Sequence, residues 1–118
     1  MAVLQPVQAA MRIYGEVTVS SFLNTMSITL YDNGSDRVRN GVVTTAFDGW
    51  SSYIEGSDGY RIRAWWSSRN EITFDWSRPG FSDTLSCRAP CRRDCVGGGS
   101  RFDPKQCVSY CDYSCWYY

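Results

Sequence analysis

The stretch YRIRAWWSSRNEITFDW, residues 60–76, alternates apolar and polar side chains on both sides of a short polar break. Alternation with a period of two is typical of β-strands, because successive side chains point to opposite faces of a sheet. The apolar face of the first half is formed by Tyr60, Ile62, Ala64 and Trp66. The opposite face carries Arg61, Arg63 and Trp65. In the second half the inward positions are Ile72, Phe74 and Trp76. The stretch therefore predicts two strands that share one buried face.

The same pattern extends over residues 12–76, where short alternating runs are separated by turn residues. The clearest turn is DNGSD (Asp32–Asp36), since Asn-Gly favours a tight hairpin, and its two acids are expected to be solvated. We also expect a β-bulge at Asn40-Gly41. The segment SRPGFSD (Ser77–Asp83) is rich in turn formers and is the predicted joint to the rest of the chain. About six strands in this region predict an antiparallel sandwich or barrel.

Four motifs occur in the order seen in the transthyretin-like sandwich family, which includes secreted nematode transthyretin-like proteins and carboxypeptidase regulatory-like domains. They are YGEVTV (Tyr14–Val19), SITLYDNG (Ser27–Gly34), TTAFDGWSS (Thr44–Ser52) and DGYRIRAW (Asp58–Trp65). The chain resembles this family over a little under half of its length. The family's G-x-P-v-x-G insertion between the first two strands is missing, because Ser21–Thr25 reads SFLNT. The resemblance implies an extracellular sandwich of seven or eight strands and no particular activity.

All six cysteines lie after residue 86, and every gap between them is four residues except one of twelve. They are Cys87, Cys91, Cys95, Cys107, Cys111 and Cys115. A spacing of four places side chains on one face of an α-helix. Gly97–Gly99 is expected to end a first short helix, and Asp103-Pro104 to begin a second. The tail is therefore predicted to be a helical hairpin with one cysteine stripe on each helix.

The cysteines admit two interpretations. Six cysteines allow fifteen pairings, and a helical hairpin favours the nested set Cys95–Cys107, Cys91–Cys111 and Cys87–Cys115. CRRDC, eleven residues and CVSYC resemble the twin CX3C pattern of α-hairpinins and of small mitochondrial intermembrane-space chaperones. A structural staple of disulfides is the interpretation we favour, and it implies an oxidising compartment. The alternative is a thiolate metal site without histidine.

Composition limits the classes of function. Lys plus Arg and Asp plus Glu both number 12, so the chain lacks the basic excess of a nucleic-acid binder. Histidine is absent, which removes the usual general base and the commonest metal ligand. No run is apolar for long enough to span a bilayer, and residues 1–10 are a poor signal peptide. If the protein is secreted, we expect its natural leader to have been removed already. We predict no catalytic residue, no metal, no cofactor, no nucleic-acid partner and no membrane span.

The predicted binding residues are Arg61, Arg63, Trp65 and Trp116. Trp and Arg are favoured at binding hot spots, and the first three share the polar face of one strand. The alternative is that the tail hairpin or a second sheet covers Trp65. Trp116 belongs to an aromatic chain end that we expect to be docked on its own sandwich or on another subunit. Asn33-Gly34-Ser35 is a glycosylation sequon on a predicted exposed turn.

We thus predict a mainly β protein with two parts. Residues 10–80 are expected to form a transthyretin-like antiparallel β-sandwich of about six to eight strands, and residues 84–118 a cysteine-rich helical hairpin packed on it. The predicted function is a secreted, non-enzymatic binding or assembly module. Its partner outside the cell is a protein or a glycan, or another copy in oligomers or filaments. The alternative is a secreted toxin or effector whose hairpin acts on a host or prey protein.

Overall fold

Nine β-strands run through the residues that the computed structural model describes, which are 11–19, 24–44, 49–68, 70–103 and 106–117. They are β1 (Met11–Val19), β2 (Asn24–Asp32), β3 (Ser35–Thr44), β4 (Ile54–Glu55), β5 (Arg61–Ser68), β6 (Glu71–Arg78), β7 (Phe81–Arg88), β8 (Cys91–Val96) and β9 (Gln106–Tyr117). A 3₁₀ turn, Ser57–Gly59, precedes β5. The strands form a five-stranded sheet in the order β3-β2-β1-β9-β8 and a four-stranded sheet in the order β4-β5-β6-β7. All pairings between strands are antiparallel.

The hydrophobic core lies between the two sheets and takes side chains from both. Its fully buried members are Ile13, Val17, Met26, Ile28, Leu30, Ile62, Ala64, Ile72, Phe74, Ala89 and Cys111. The inward positions that alternation predicts in residues 60–76 are all buried, so that prediction is confirmed. Each large apolar side chain buried here stabilises the fold by about 1.5–3 kcal/mol relative to an exposed one. The arrangement is compatible with a β-sandwich.

Two local predictions for the β2–β3 hairpin are also confirmed. Asp32 pairs with Ser35 across a two-residue turn, in which Asn33 and Gly34 have φ of 53° and 80°. Positive φ at both positions defines the type I′ turn that Asn-Gly favours. Further along, the register shifts so that two residues face Thr29, and Asn40 has φ of 48°. The Asn40 N–H donates to Thr29 Oγ1 at 3.2 Å, which closes the bulge.

The predicted helical hairpin at the C-terminus is wrong. Residues 81–117 contribute β7, β8 and β9, and the described residues contain no α-helix. A spacing of four does not distinguish an α-helix from a β-strand, because residues i and i+4 also share one face of a strand. The residues of β9, rich in tyrosine and with Val108 and Trp116, favour a strand. Since β9 pairs with β1 from Met11–Tyr117 to Val19–Ser109, the tail completes the five-stranded sheet rather than packing on it.

Three disulfides join all six cysteines in the nested pairs. Cys91–Cys111 and Cys95–Cys107 link directly opposite residues of β8 and β9, with Cα–Cα distances of 4.0 and 4.1 Å. Cys87–Cys115 links β7 of the four-stranded sheet to β9 of the five-stranded sheet. No cysteine remains as a thiolate for a metal site. The bonds therefore staple one hairpin and also tie the two sheets together.

Tyr113 on β9 passes over β1 and reaches β2. Its ring packs on Phe74 of the other sheet, with ring centroids 5.1 Å apart. Its hydroxyl donates to the Ser27 carbonyl oxygen at 2.6 Å. Gly15 lies directly opposite Tyr113 on β1, and its missing side chain leaves room for this contact. Because the phenol is buried among apolar groups, burial raises the pKa of Tyr113 well above its ordinary value.

We expect the free energy of unfolding to fall as the pH rises above about 10, the pKa of tyrosine in an unfolded chain. Above that pH the unfolded chain loses a proton that folded Tyr113 keeps, so alkali favours unfolding by up to about 1.4 kcal/mol per pH unit. Urea unfolding at several alkaline pH values measures this slope. Tyr113→Phe should be less stable at neutral pH and should show a shallower alkaline slope than wild type. Equal slopes in the two proteins would contradict the assignment.

Candidate binding surface

The outer face of the four-stranded sheet collects aromatic and arginine side chains. Arg61, Arg63 and Trp65 alternate along β5 with the buried residues and so point away from the core. Trp50 and Tyr53, from the segment before β4, lie against them. These five residues are called the aromatic–arginine face below. Sequence alternation explains why the three residues of β5 lie on this face. Trp50 and Tyr53 join them because the 49–53 segment runs alongside β5.

Arg63 is the centre of this face. Its guanidinium carbon lies 4.7 Å from the ring centroids of both Trp50 and Tyr53. Its Nη2 is 2.9 Å and its Nε 3.0 Å from the carboxylate oxygen of Asp75 on β6. The Tyr53 hydroxyl donates to the same carboxylate oxygen at 3.0 Å. Both rings are therefore held by one arginine, whose own position is set by a charge-assisted hydrogen bond.

The stack continues on both sides of Arg63. Trp65 meets Trp50 with ring centroids 5.7 Å apart, at an interplanar angle of 56°. On the other side the Arg61 guanidinium lies 4.1 Å from the Tyr53 ring, and its Nε donates to Ser77 Oγ at 3.1 Å. The order across the surface is Trp65, Trp50, Arg63, Tyr53, Arg61. Each cation–π contact at such a surface contributes about 0.5–1 kcal/mol, so the rings are ordered before any partner arrives.

Hydroxyl groups extend the same face across β5, β6 and β7. Ser67 Oγ and Thr73 Oγ1 are 3.0 Å apart, and Thr73 Oγ1 and Ser86 Oγ are also 3.0 Å apart. Ser67 Oγ donates to the Glu71 carboxylate at 3.1 Å. On the edge strand β7, Ser82, Thr84 and Ser86 are exposed. This part of the face presents short hydroxyl side chains that both donate and accept hydrogen bonds.

The charges of this face are balanced. Cross-strand register places Glu55 opposite Arg61 and Glu71 opposite Arg88, and Asp75 is paired with Arg63. Among the residues of this sheet that the structure describes, the outward charged residues are the cations Arg61, Arg63 and Arg88 and the anions Glu55, Glu71 and Asp75. These described charges number three of each sign and offer no excess to attract a polyanion or a polycation.

The structure brings together three of the predicted binding residues, Arg61, Arg63 and Trp65, and their role in binding stays a prediction. Trp65 is half-buried, and the ring that lies against it is Trp50 rather than part of a helical tail. Sequence reasoning missed Trp50 and Tyr53, because they sit in a segment with no periodic pattern. The dipeptide Gly49-Trp50, a tryptophan next to a turn-forming residue, was the available signal.

The remaining predicted site residues lie elsewhere. Trp116 is on β9 of the other sheet, opposite Arg12, and is 53% exposed although its strand is docked. The Arg12 guanidinium is 4.3 Å from the Tyr14 ring centroid. Asn33 is exposed at the tip of the β2–β3 hairpin, and its glycosylation stays a prediction. Trp116 therefore does not belong to the aromatic–arginine face.

A buried polar cluster at one end of the sheets was not predicted from the sequence. Asp32, expected in solvent, is only 4% exposed. Its carboxylate accepts hydrogen bonds from the Tyr60 hydroxyl at 2.6 Å and from Arg78 Nη1 at 3.2 Å. Arg78 Nη1 also donates to the Tyr60 hydroxyl at 3.3 Å, and this hydrogen bond raises the pKa of Arg78. Because Asp32 is on β2 and its partners flank the other sheet, the cluster is an internal tie between the sheets.

No protein family, no curated protein and no solved structure matches this chain. The transthyretin-like resemblance accordingly stays a prediction. Among the described residues, no helix is long and apolar enough to cross a membrane. In the same residues, no group of three or more acidic, cysteine or histidine side chains is placed to hold a metal ion. An assignment of function to this chain therefore rests on its surface chemistry alone.

Proposed function

We propose that this protein is a secreted, non-enzymatic binding module that holds a neutral glycan on its aromatic–arginine face. The three disulfides support the extracellular part, because such bonds persist in oxidising compartments. A transthyretin-like relationship would suit this role and is part of the proposal. The observation that carries the binding site is the ordered stack of Trp50, Tyr53 and Trp65 around Arg63.

Aromatic rings bind sugars because the C–H bonds on one face of a pyranose pack against a π-surface, whose negative charge they complement. Trp50 is the most exposed of the three rings, at 37%, and is accessible to such a ligand. Since Arg63 already orders the rings, binding costs little side-chain entropy. The hydroxyls of Ser67, Thr73 and Ser86 lie across the same sheet and can exchange hydrogen bonds with sugar hydroxyls.

Charge balance favours a neutral glycan over an acidic polymer. An acidic polysaccharide or a nucleic acid is recognised through excess cations that release counterions. Here the cations of the face are matched by carboxylates, and Arg63 is already paired with Asp75. A polyhydroxylated, uncharged chain has no such requirement. It needs stacking rings and a surface of donors and acceptors, both of which the four-stranded sheet presents.

We expect the protein to be retained by at least one immobilised neutral polysaccharide among cellulose, chitin, xylan and mannan. Trp50→Ala should weaken that retention at least about ten-fold, because a tryptophan hot spot contributes about 2 kcal/mol or more and about 1.4 kcal/mol already corresponds to ten-fold. Trp116→Ala is the matched control, since it removes an exposed tryptophan from the other sheet and should bind like wild type. Depletion of the protein from solution by particles of each polysaccharide, over a series of polysaccharide concentrations, makes the measurement, with circular dichroism to verify folding.

Failure of the wild-type protein to bind any of the four polysaccharides would refute the glycan assignment. Equal retention of wild type and Trp50→Ala would show that binding occurs elsewhere. A second candidate function, a secreted effector whose hairpin is the active part, is supported by a separate observation: every residue of β8 is exposed.

A further inference from the structure

The outer face of the five-stranded sheet, on the side of the molecule away from the aromatic–arginine face, also exposes apolar side chains. Val42 on β3 is 64% exposed, and Trp116 and Tyr110 on β9 are 53% and 37% exposed. Tyr14 on β1 and Tyr31 on β2 are half-buried between these strands. Large apolar side chains spread over one outer sheet face indicate an interaction surface.

Arg12 lies at one end of this face without an acidic partner. Its cross-strand neighbours are Tyr31 and Trp116, and its guanidinium carbon is 4.3 Å from the Tyr14 ring centroid. Its buried Nε has no hydrogen-bond partner among the described residues. In the same part of the chain, no carboxylate forms an ion pair with Arg12. One positive charge is therefore held on this face by aromatic rings alone.

Two carboxylates lie further along the same strands. Glu16 on β1 is directly opposite Asp112 on β9, and both residues are exposed. Like charges directly opposite each other on neighbouring strands destabilise a sheet. Over the described ranges, no arginine or lysine forms an ion pair with either carboxylate. The acidic pair lies four residues from Arg12, which is about 13 Å along the strand.

We propose that this face pairs with the same face of a second copy of the chain. The two-fold axis would cross the strands at the level of Tyr14 and Ser114, which are directly opposite each other and halfway between the charges. Rotation about that axis places Arg12 of each copy over Glu16 and Asp112 of the other. A two-fold interface is self-complementary in this way, because each contact is made twice.

The charge pattern favours a second copy over an unrelated partner. A surface of one charge sign would meet a like charge at one end of this face, whereas the rotated face offers the opposite sign at both ends. The area also suffices. Five strands spaced about 4.8 Å apart and nine residues long cover about 700 Å², close to the roughly 800 Å² that each partner buries in a standard interface.

Sedimentation velocity of the full chain with its disulfides intact tests the proposal. We expect wild type to show a monomer–dimer equilibrium between about 1 and 500 μM. Arg12→Glu and Glu16→Arg should each weaken self-association at least about ten-fold, because each substitution opposes like charges across the axis. An equimolar mixture of the two variants should form a heterodimer as wild type forms its homodimer. In that mixed pair, each position 12 again faces a charge of opposite sign at position 16.

Glu71→Arg is the matched control, since it reverses an exposed charge on the other sheet and should dimerise like wild type. Circular dichroism verifies that each variant is folded. A wild-type protein that stays monomeric, single variants that dimerise like wild type, or a mixture that stays monomeric would overturn the proposal.

The dimer and the glycan site can be tested separately. In the proposed dimer the two aromatic–arginine faces point in opposite directions, so one polysaccharide particle contacts only one of them. Trp50→Ala should therefore dimerise like wild type, whatever its retention by the polysaccharide. Failure of glycan binding with the heterodimer result intact would refute the glycan assignment alone, and the reverse outcome would refute the dimer alone.

Discussion

Replacing Cys87 and Cys115 together by alanine is expected to lower the free energy of unfolding by about 3–5 kcal/mol. This disulfide joins the two sheets, and Cys87 is buried in the core. With Cys91–Cys111 intact, the bond closes an added loop of eight residues, four on each side (91 − 87 and 115 − 111). Loop closure of that size accounts for about 2.5 kcal/mol, and the cavity left by the sulfur atoms supplies the rest.

The Cys95→Ala, Cys107→Ala double variant is a matched control. Relative to Cys91–Cys111, this bond also closes an added loop of eight residues (95 − 91 and 111 − 107), so the entropic contributions are equal. Cys95, however, lies in an exposed strand that can fray without separating the sheets. Guanidinium unfolding of both variants should show the larger loss for the pair that joins the sheets. Equal losses would mean that loop closure alone explains the effect.

Substituting alanine for Gly15 is expected to destabilise the protein by at least about 3 kcal/mol. A Cβ atom at this position would overlap the Ser27 carbonyl oxygen on β2 and lie 2.6 Å from the Tyr113 hydroxyl. Both atoms belong to the hydrogen bond that connects β9 to β2 across β1. The backbone atom cannot move without disturbing the central strands. The substitution therefore overpacks the core and also breaks a buried hydrogen bond.

Urea unfolding measures this effect, and two further variants define its cause. Gly49→Ala is the control, since a Cβ there meets no atom of the described residues within 4 Å, and its stability should stay within about 0.5 kcal/mol of wild type. In a Tyr113→Phe background, Gly15→Ala should lower the free energy of unfolding by less than it does in wild type, because the Tyr113 hydroxyl, one of the two groups close to the added Cβ, is absent. Additive losses would show that the Tyr113 hydroxyl is not part of the conflict.

The parts of this structure that could be predicted from sequence depend on neighbours along the chain. Alternation over Tyr60–Trp76 identifies the buried faces of β5 and β6, and it places Arg61, Arg63 and Trp65 on one outer face. Asn33-Gly34 identifies a hairpin turn because few residues adopt positive φ at two successive positions. These signals are local, and they hold regardless of which strand lies alongside.

Other features depend on residues far apart in the chain. Asp32 hydrogen bonds with Tyr60 and Arg78, which are 28 and 46 residues away, so no local pattern marks it as buried. Trp50 and Tyr53 join the candidate binding surface only because their segment crosses β5. The predicted helical tail was wrong for a related reason. Its cysteine spacing fits a helix and a strand equally well, and the open edge of β1 decides in favour of the strand.

Local patterns in the chain are sufficient to predict alternating strands with tight turns and a group of cysteines placed where they can pair. The tail's position as a strand inside a sheet and the disulfide between the two sheets follow instead from contacts between distant segments. The two kinds of feature differ in the range of the interactions that set them. Side-chain periodicity and turn geometry are set within a few residues, whereas strand neighbours, burial and exposure depend on which distant segments supply hydrogen-bond partners and apolar contacts.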